Sequence, residues 1–555
     1  VTDPRTAVDA LLTRHPVVVE LGERFRAAGH QLYLVGGPVR DALLGRDASD
    51  LDFTTDARPE QILRVVDGWA ESIWDMGIAF GTVGVGRRGA SLEITTFRAD
   101  AYDGDSRNPA VSFSDTVEDD LVRRDFAVNA MAVSLPDGRL IDPHDGQAQL
   151  TAKVLDTPAA PETSFRDDPL RMMRAARFAA QLGFEPAPRV RAAMTAMAGE
   201  LRRITAERVQ AELSKLLLGR FPRKGLTLMT DTGLADVVLP ELPALRLERD
   251  EHHQHKDVYE HSLTVLERAI AFEPDGPDLT MRLAALLHDI GKPGTRRFES
   301  GGGVSFHHHE VVGAKLVRKR MKALKYARQI TEDVANLTFL HLRFHGYSGG
   351  VWTDSAVRRY VTDAGPLLPR LNLLVRADCT TRNRRREIAL QKSYDQLEER
   401  ITALQAAEDL ARVRPDIDGN AIMELLQVPP GRIVGQAWKH LKELRLERGP
   451  MSRDEAEAEL FKWALERGLV DVHGNPVTPA ADTAADSTSA NATPAAGTAA
   501  DGTAAVGRAA HVTATTDVAA DGSAKADTAG DDSATTGTAA DMRSAPAATP
   551  DGSPR

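Results

Sequence analysis

At 555 residues the chain is several times longer than one ordinary domain, and its 42% hydrophobic and 27% charged residues place it among soluble, multi-domain globular proteins. No apolar run approaches the roughly 20 residues that cross a bilayer, the N-terminal VTDPRTAVDALL lacks a secretory pattern, and the single cysteine, Cys379, excludes an internal disulfide, so a reducing, cytoplasmic setting without a membrane partner is expected. The net charge of −11 argues against a nucleic-acid partner only until it is located: residues 478–555 hold six excess negatives, the remainder carries −5, and local arginine clusters decide the matter.

In chain order, a short helical segment (1–19) precedes a region, 20–158, in which apolar runs such as LYLVGG, DLDFTT, FGTVGVG, SLEITTF and NAMAVSL alternate with turn signals. That texture predicts a mixed sheet-and-helix domain. From Phe165 the periodicity turns helical, giving a neck over 159–249, a histidine-rich helical block over 250–390 and a last helical region over 391–477. The stretch 478–555 contains no Leu, Ile, Phe, Tyr or Trp. It cannot bury enough apolar surface to offset its ordering entropy, so it is expected to be disordered.

LYLVGG reads as a strand ending in Gly36 and Gly37, with PVRDALLG following as a short helix. The glycines let backbone approach a ligand, and Arg40 lies one turn into the helix, in reach of the same phosphate. Asp50 and Asp52 follow in SDLDFTT. Side chains at i and i+2 of a strand share a face, so two carboxylates stand side by side. Mg²⁺, a hard cation that prefers carboxylate and phosphate oxygens, relieves their repulsion.

A glycine pair after a strand with a downstream D-x-D resembles the nucleotidyltransferases of the polymerase-β superfamily. LVRRDFAVNAMA (121–132), IDPHDGQAQL (141–150), RDDPLRMMRAARFAAQLGF (166–184) and RITAERVQAELSKLL (203–217) follow in order. Together these resemble the motifs of the bacterial class II tRNA nucleotidyltransferase and poly(A) polymerase family, over about residues 20–475. The resemblance implies an α+β fold: a polymerase-β-like head, then all-α neck, HD and C-terminal domains. It implies that Asp50 and Asp52 are catalytic and bind Mg²⁺, with Glu93 a weaker candidate for a third carboxylate. Gly36, Gly37 and Arg40 would contact the triphosphate, and Arg124 and Asp125 the ribose, with Asn129 nearby. Two departures are visible: Asp167 stands where the family commonly has Glu, and DPHDGQ replaces DPFGG, with His144 and Asp145 for Phe and Gly between the landmarks Asp142 and Gly146.

Three residues apart in a helical pattern, Asp168 and Arg171 are expected on one helix face, which Arg174 and Arg177 continue. Ionised Asp only accepts hydrogen bonds and Arg only donates them. Cytosine and adenine each present an amine donor beside a ring-nitrogen acceptor, and uracil and guanine the reverse, so the pair matches C and A. The family resemblance assigns these positions the same base-reading role.

Further on, His261, the adjacent His288-Asp289 and Asp378 occur in the order of the HD phosphohydrolase superfamily, which they resemble. A mixed nitrogen and oxygen donor set suits a divalent transition metal, and His309 and His341 offer a second metal position. The HHQH cluster at 252–255 reads as loop. Arginine-rich stretches at 318–328 and 382–386 supply local positive charge for RNA.

The expected function is template-independent addition or repair of the 3′-terminal CCA of tRNA, using CTP and ATP and releasing pyrophosphate. A poly(A) polymerase shares every head motif and remains open, as does an HD metal-dependent phosphohydrolase with an RNA-binding head.

Overall fold

The computed structural model describes residues 2–477 except 48–49, 75–76, 99–112, 247–256, 301–302, 345–352, 381–382 and 409–412. The low-complexity stretch from 478 and the HHQH cluster lie outside the described residues.

The head is built on a seven-stranded sheet: β1 (Leu32–Val35), β2 (Leu51–Thr55), β3 (Ser72–Trp74), β4 (Thr82–Arg87), β5 (Ala90–Thr96), β6 (Ala132–Leu135) and β7 (Arg139–Ile141), in the order β3-β4-β5-β2-β1-β6-β7. All four residues of β1 are buried, as its unbroken LYLV run requires of a strand covered on both faces. It pairs antiparallel with β2 and β6. Within this sheet, among the described residues, only β2 and β5 run parallel, with Asp52 opposite Glu93. The helices Pro4–Arg14 and Pro16–Ala27, each opening on a proline whose missing N–H costs a helix start nothing, close one face with Leu11, Leu21 and Phe25. The N-terminal helical segment therefore shares the head's core.

Six α-helices among the described residues make the neck: Pro161–Asp167, Leu170–Leu182, Pro188–Met197, Ala206–Leu217, Pro222–Asp231 and Leu234–Val238. Leu170–Leu182, the arginine helix, is buried along most of its surface, with Arg171 and Arg174 half-buried and directed toward the head. Asp168 is not on this helix, contrary to the helical spacing expected of it. It precedes Pro169, and the proline ring pushes the preceding residue out of helical geometry; Asp168 accordingly is extended (φ −139°, ψ 98°) at the junction of two helices.

The helices Val258–Ala271, Leu279–Leu287, His309–Ala323, Arg328–Leu340 and Leu368–Asp378 follow, and Arg384–Ala407 packs Tyr394, Leu397, Ile401 and Leu404 into the same core. Residue 391, the expected start of the last region, thus falls within a helix that serves this larger core. A separate core gathers Ile422, Leu441, Leu460 and Trp463 from the helices Gly419–Leu426, Arg432–Arg448 and Arg453–Glu466. No described helix is long and apolar enough to cross a membrane.

The arginine helix is seated by a close approach. A Cβ on Gly225 would lie 2.5 Å from the Ala176 carbonyl oxygen and 2.9 Å from Leu216 Cγ. Gly225→Ala should destabilise the protein by about 1–3 kcal/mol through overpacking, whereas Gly435→Ala, at an exposed position of the helix Arg432–Arg448 with open space around it, should be neutral or stabilising by up to about 1 kcal/mol. Urea unfolding of the two variants checks the contrast.

Candidate active site and histidine cluster

Where β1 ends, Gly36 turns the chain with φ +77°, a conformation that side chains disfavour. A Cβ there would meet Arg124 Nη1 at 3.2 Å. Gly37 then opens the helix Gly37–Leu43, which carries Arg40. Arg40 is buried and engaged: Nη1 donates to Asn129 Oδ1 at 2.7 Å, and Nε and Nη2 donate to the Asp41 carboxylate at 3.0 and 2.8 Å.

Asp50 is exposed in the bend before β2, while Asp52 is half-buried on the strand. Burial raises the Asp52 carboxyl above its ordinary value; Arg124 pulls it back, and Glu93 and Asp50 push it up again. Three carboxylates with incomplete compensation form a site whose chemistry fits a hard divalent cation.

The segment that begins with the helix Val117–Val122 supplies the opposite charge. Asp120, buried on the helix Val117–Val122, accepts from Arg123 and Arg124, each at 3.0 Å. Burial works against its charge, but those two guanidiniums hold its carboxyl below the usual range. Asp125 accepts from Asn129 Nδ2 at 2.9 Å and from Arg174 Nε at 2.7 Å. Burial again opposes ionisation; Arg174 and Asn129 overcome it and hold Asp125 well below the ordinary range. Arg174 also lies 3.8 Å from Glu212 Oε1, and Arg177 donates to the same oxygen at 3.2 Å. Burial, then Arg174, push Arg177 down to about 10, with Glu212 offsetting them. Arg40, Arg174 and Arg177 all face the Phe178 ring, at 5.2, 5.5 and 4.4 Å from its centroid.

These groups surround an open cavity of about 370 Å³, the size of a small-ligand pocket. Asp52, Glu93, Arg124 and Asp125 face it from the head, and Asp168, Arg171 and Arg174 from the neck. Arg40, Asn129 and Arg177 are packed in the bonded layer described above. Asp168 and Arg171 share the cavity, but Arg171 donates to Ser164 Oγ at 2.8 Å and to the Arg123 carbonyl at 2.5 Å, while Asp168 accepts from Arg208 at 2.9 Å. Asp120, Arg208 and Glu212 were not expected from the motifs. The spacing in DDLVRR, with Asp120 three and four residues before two arginines, is a readable helix signal for the first; the other two lie within the motif RITAERVQAELSKLL, whose spacing does not say which partners they reach.

The loop landmarks have a structural duty. Asp142 accepts from the Gly146 and Gln147 amides at 2.7 and 3.0 Å, capping the helix Gly146–Ala152, and Asp145 takes the left-handed conformation. Burial lowers the His144 imidazole below its ordinary value. In the basic stretches, Arg318 pairs with Glu332 and Arg320 with Glu241, so part of the positive charge at 318–328 is neutralised within the protein. Arg382 lies outside the described residues; Arg384 and Arg385 are exposed.

The predicted metal ligands of the histidine block converge. His261, His288 and Asp378 form one group, and Asp289, His309 and His341 another, their ligand atoms lying within 4.8 Å of one another in each. Asp289 faces both: Oδ2 is 3.2 Å from His288 Nε2, and Oδ1 is 3.3 Å from His309 Nε2. The rings of His288, His309 and His341 place Nδ1 at 2.6–2.9 Å from the carbonyl oxygens of Ala285, Phe306 and Thr338, and His261 Nδ1 meets the Thr380 hydroxyl at 2.9 Å. A donating Nδ1 leaves Nε2 as an inward lone pair, the second-layer arrangement of metal-ligating histidines. Nε2 atoms face each other at 3.3 Å in two pairs, His261–His288 and His309–His341. Burial disfavours a charge on His288, yet Asp289 and Asp378 push it up to about 10. The same two carboxylates supply negative charge beside the converging Nε2 atoms. Burial, then the nearby His288, push His341 down to about 3.

A sheet bearing paired carboxylates, an arginine-lined neck beside it and a histidine–aspartate helical cluster define a nucleotidyltransferase head joined to an HD domain. The description "Poly A polymerase head domain" matches residues 32–156, "Probable RNA and SrmB-binding site of polymerase A" matches 183–245, and "HD domain" matches 258–383. The A-adding tRNA nucleotidyltransferase of Deinococcus radiodurans is 33% identical over 449 residues, covering 78% of this chain and 95% of that protein. The CCA-adding enzyme of Levilactobacillus brevis is 44% identical over 208 residues, covering 37% of this chain and 51% of that protein; against several such curated relatives the chain spans about half their length. Among solved structures, the Bacillus stearothermophilus CCA-adding enzyme in complex with CTP shares the fold, with a TM-score of 0.60 at 24% identity over 82% of this chain and 98% of that one. The chain belongs to the class II CCA-adding enzyme and poly(A) polymerase family of tRNA nucleotidyltransferases, with an HD domain.

Because Asp125 is ionised against burial by its partners, its contribution to stability is present above the ordinary carboxylate value of 3.8 and fades as pH falls below it. Asp125→Ala should cost roughly 2–3 kcal/mol at neutral pH. The difference from wild type should narrow progressively in acid below that value, as denaturant unfolding across pH will show.

Proposed function

We propose that the protein adds nucleotides to the 3′ end of tRNA, completing or repairing CCA from CTP and ATP with release of pyrophosphate. The observation that carries this reading is one cavity in which the Asp52 and Glu93 carboxylates of the sheet face Asp168, Arg171 and Arg174 of the neck. Phosphoryl transfer needs charge and position more than a protein nucleophile. Asp50 and Asp52 would hold Mg²⁺, with Glu93 beside them; when bound, the ion acidifies the attacking 3′-hydroxyl and offsets charge on the departing pyrophosphate. Arg124, fixed by Asp120, and Asp125, fixed by Arg174, face the cavity and would hold the ribose. Gly36 and Gly37, at the turn after β1, would approach the triphosphate, while Arg40, Asn129 and Arg177 support the residues that line the cavity. Asp168 offers acceptors and Arg171 donors to the base edge, the combination that suits C and A and opposes U and G.

Relatives named as CCA-adding and as A-adding both align with this chain, so the acceptor decides the reading. Labelled CTP and ATP should be incorporated in turn into tRNA lacking its last three residues, stopping after one A. Incorporation of ATP alone, and only into tRNA ending in CC, would make the protein A-adding. Long A tracts would make it a poly(A) polymerase. In the same assay Asp52→Ala or Asp50→Ala should reduce addition at least ten-fold with tRNA binding retained; greater residual activity would reject the metal assignment.

A second reading, for the other site, rests on the inward Nε2 atoms around Asp289. The HD cluster would hold a divalent transition metal and hydrolyse phosphoesters, in a domain separate from the head. His288→Ala should abolish metal-dependent hydrolysis of nucleotide phosphoesters and leave nucleotide addition intact. Loss of both activities in the folded variant would show that the sites are not independent.

A further inference from the structure

Arg208 has no part in the reading above, although it lines the same cavity. It stands one turn before Glu212 on the helix Ala206–Leu217, and its Nη2 donates to Asp168 Oδ2 at 2.9 Å. The other oxygen, Oδ1, accepts from the Leu170 amide at 3.1 Å. Arg171, the partner that sequence spacing suggests, is turned instead toward Ser164 and the Arg123 carbonyl. The Asp168 carboxylate is thus held at two points, the start of the arginine helix and Arg208.

The support behind Arg208 is rigid. Arg282 donates to the carbonyls of Leu217 and Gly219 at 2.7 and 2.8 Å, at the far end of the same helix, and the Ser214 hydroxyl meets Tyr326 Oη at 3.1 Å. Arg177 and Glu212 join the helix to the arginine helix between those ends. Arg208 therefore reaches Asp168 from a helix anchored along its length, which holds a partner's geometry better than a loop does.

We propose that Arg208 is a specificity-determining positioning residue that fixes the plane of the Asp168 carboxylate toward the base. The proposal rests on the base-reading role given to Asp168 above. The terminal torsion of Asp is broad, so a carboxylate tethered only through Oδ1 swings its second oxygen over several positions. A carboxylate has about four acceptor sites, and the Leu170 amide and Arg208 leave capacity for the exocyclic amine of C or A. Holding the second oxygen in place sets that capacity at one position, where the carbonyl oxygen of U or G meets another acceptor and is refused.

The test compares kcat/KM for CTP, ATP, UTP and GTP on one tRNA acceptor, for wild type, Arg208→Ala, Arg208→Gln, Arg208→Lys and Asp168→Ala. The Ala and Gln variants should each lower the preference for CTP over UTP and for ATP over GTP by ten-fold or more. Arg208→Lys, with one compact donor, should restore part of that preference. An equal fall for all four nucleotides would overturn the proposal, since Arg208 would then act only through its charge. Improved CTP and ATP use in Arg208→Ala would also overturn it, because Arg208 would then compete with the base. If Asp168→Ala keeps wild-type selectivity, the base-reading role itself fails and the proposal with it. Altered selectivity in Asp168→Ala with none in the Arg208 variants would reject the proposal alone.

Discussion

Asp125 and Arg174 meet where the sheet-bearing head touches the neck, and the geometry of the cavity depends on that ion pair. The carboxylate is buried at the cavity wall and held ionised, which burial alone would oppose. It is tolerable because Arg174 and Asn129 both bond it, and because each of them is held in turn: Asn129 by Arg40, Arg174 by Glu212. Removing one member leaves a buried charge without its partner. Such a network sets one relative placement of head and neck, and so one distance between the sheet carboxylates and the arginine row.

The same constraint explains why so many arginines crowd together without driving the structure apart. Arg40, Arg174 and Arg177 gather around one Phe178 ring, but Asp41, Asp125 and Glu212 stand among them. Arg123 and Arg124 share Asp120 in the same way. Near the sheet the balance is opposite: Asp50, Asp52 and Glu93 lie together, and Asp52 is held above its ordinary value. The cavity thus has matched charge at one end and excess negative charge at the other, where the chemistry fits a hard divalent cation.

The histidine cluster follows a different rule. There the rings are oriented one by one, through Nδ1 contacts with carbonyls three residues earlier or with a hydroxyl, and the lone pairs are left to converge on Asp289. Its residues come from segments far apart in the chain, and their order, with His288 and Asp289 adjacent, singles them out as candidate ligands.

The sequence by itself determined the division between a sheet-bearing head and the helices that follow it, the strand that ends in Gly36 and Gly37, and the histidines and aspartates that gather around Asp289. Those features depend on short-range pattern, periodicity and glycine after a strand, whereas Asp50 lies in the bend before β2 and not on the strand that its spacing from Asp52 suggested. The placement of Asp168 was misread from the same pattern, because a proline at the next position overrides helical spacing with a steric limit on its predecessor. Only the tertiary structure decided which acid neutralises which arginine. Arg208 and Glu212 reach their partners from 40 and 35 residues away, and no local periodicity encodes a contact made by helices packing side by side. Whether a given arginine faces the cavity or supports those that do is likewise settled by burial, which the spacing of Arg171, Arg174 and Arg177 on one helix does not distinguish.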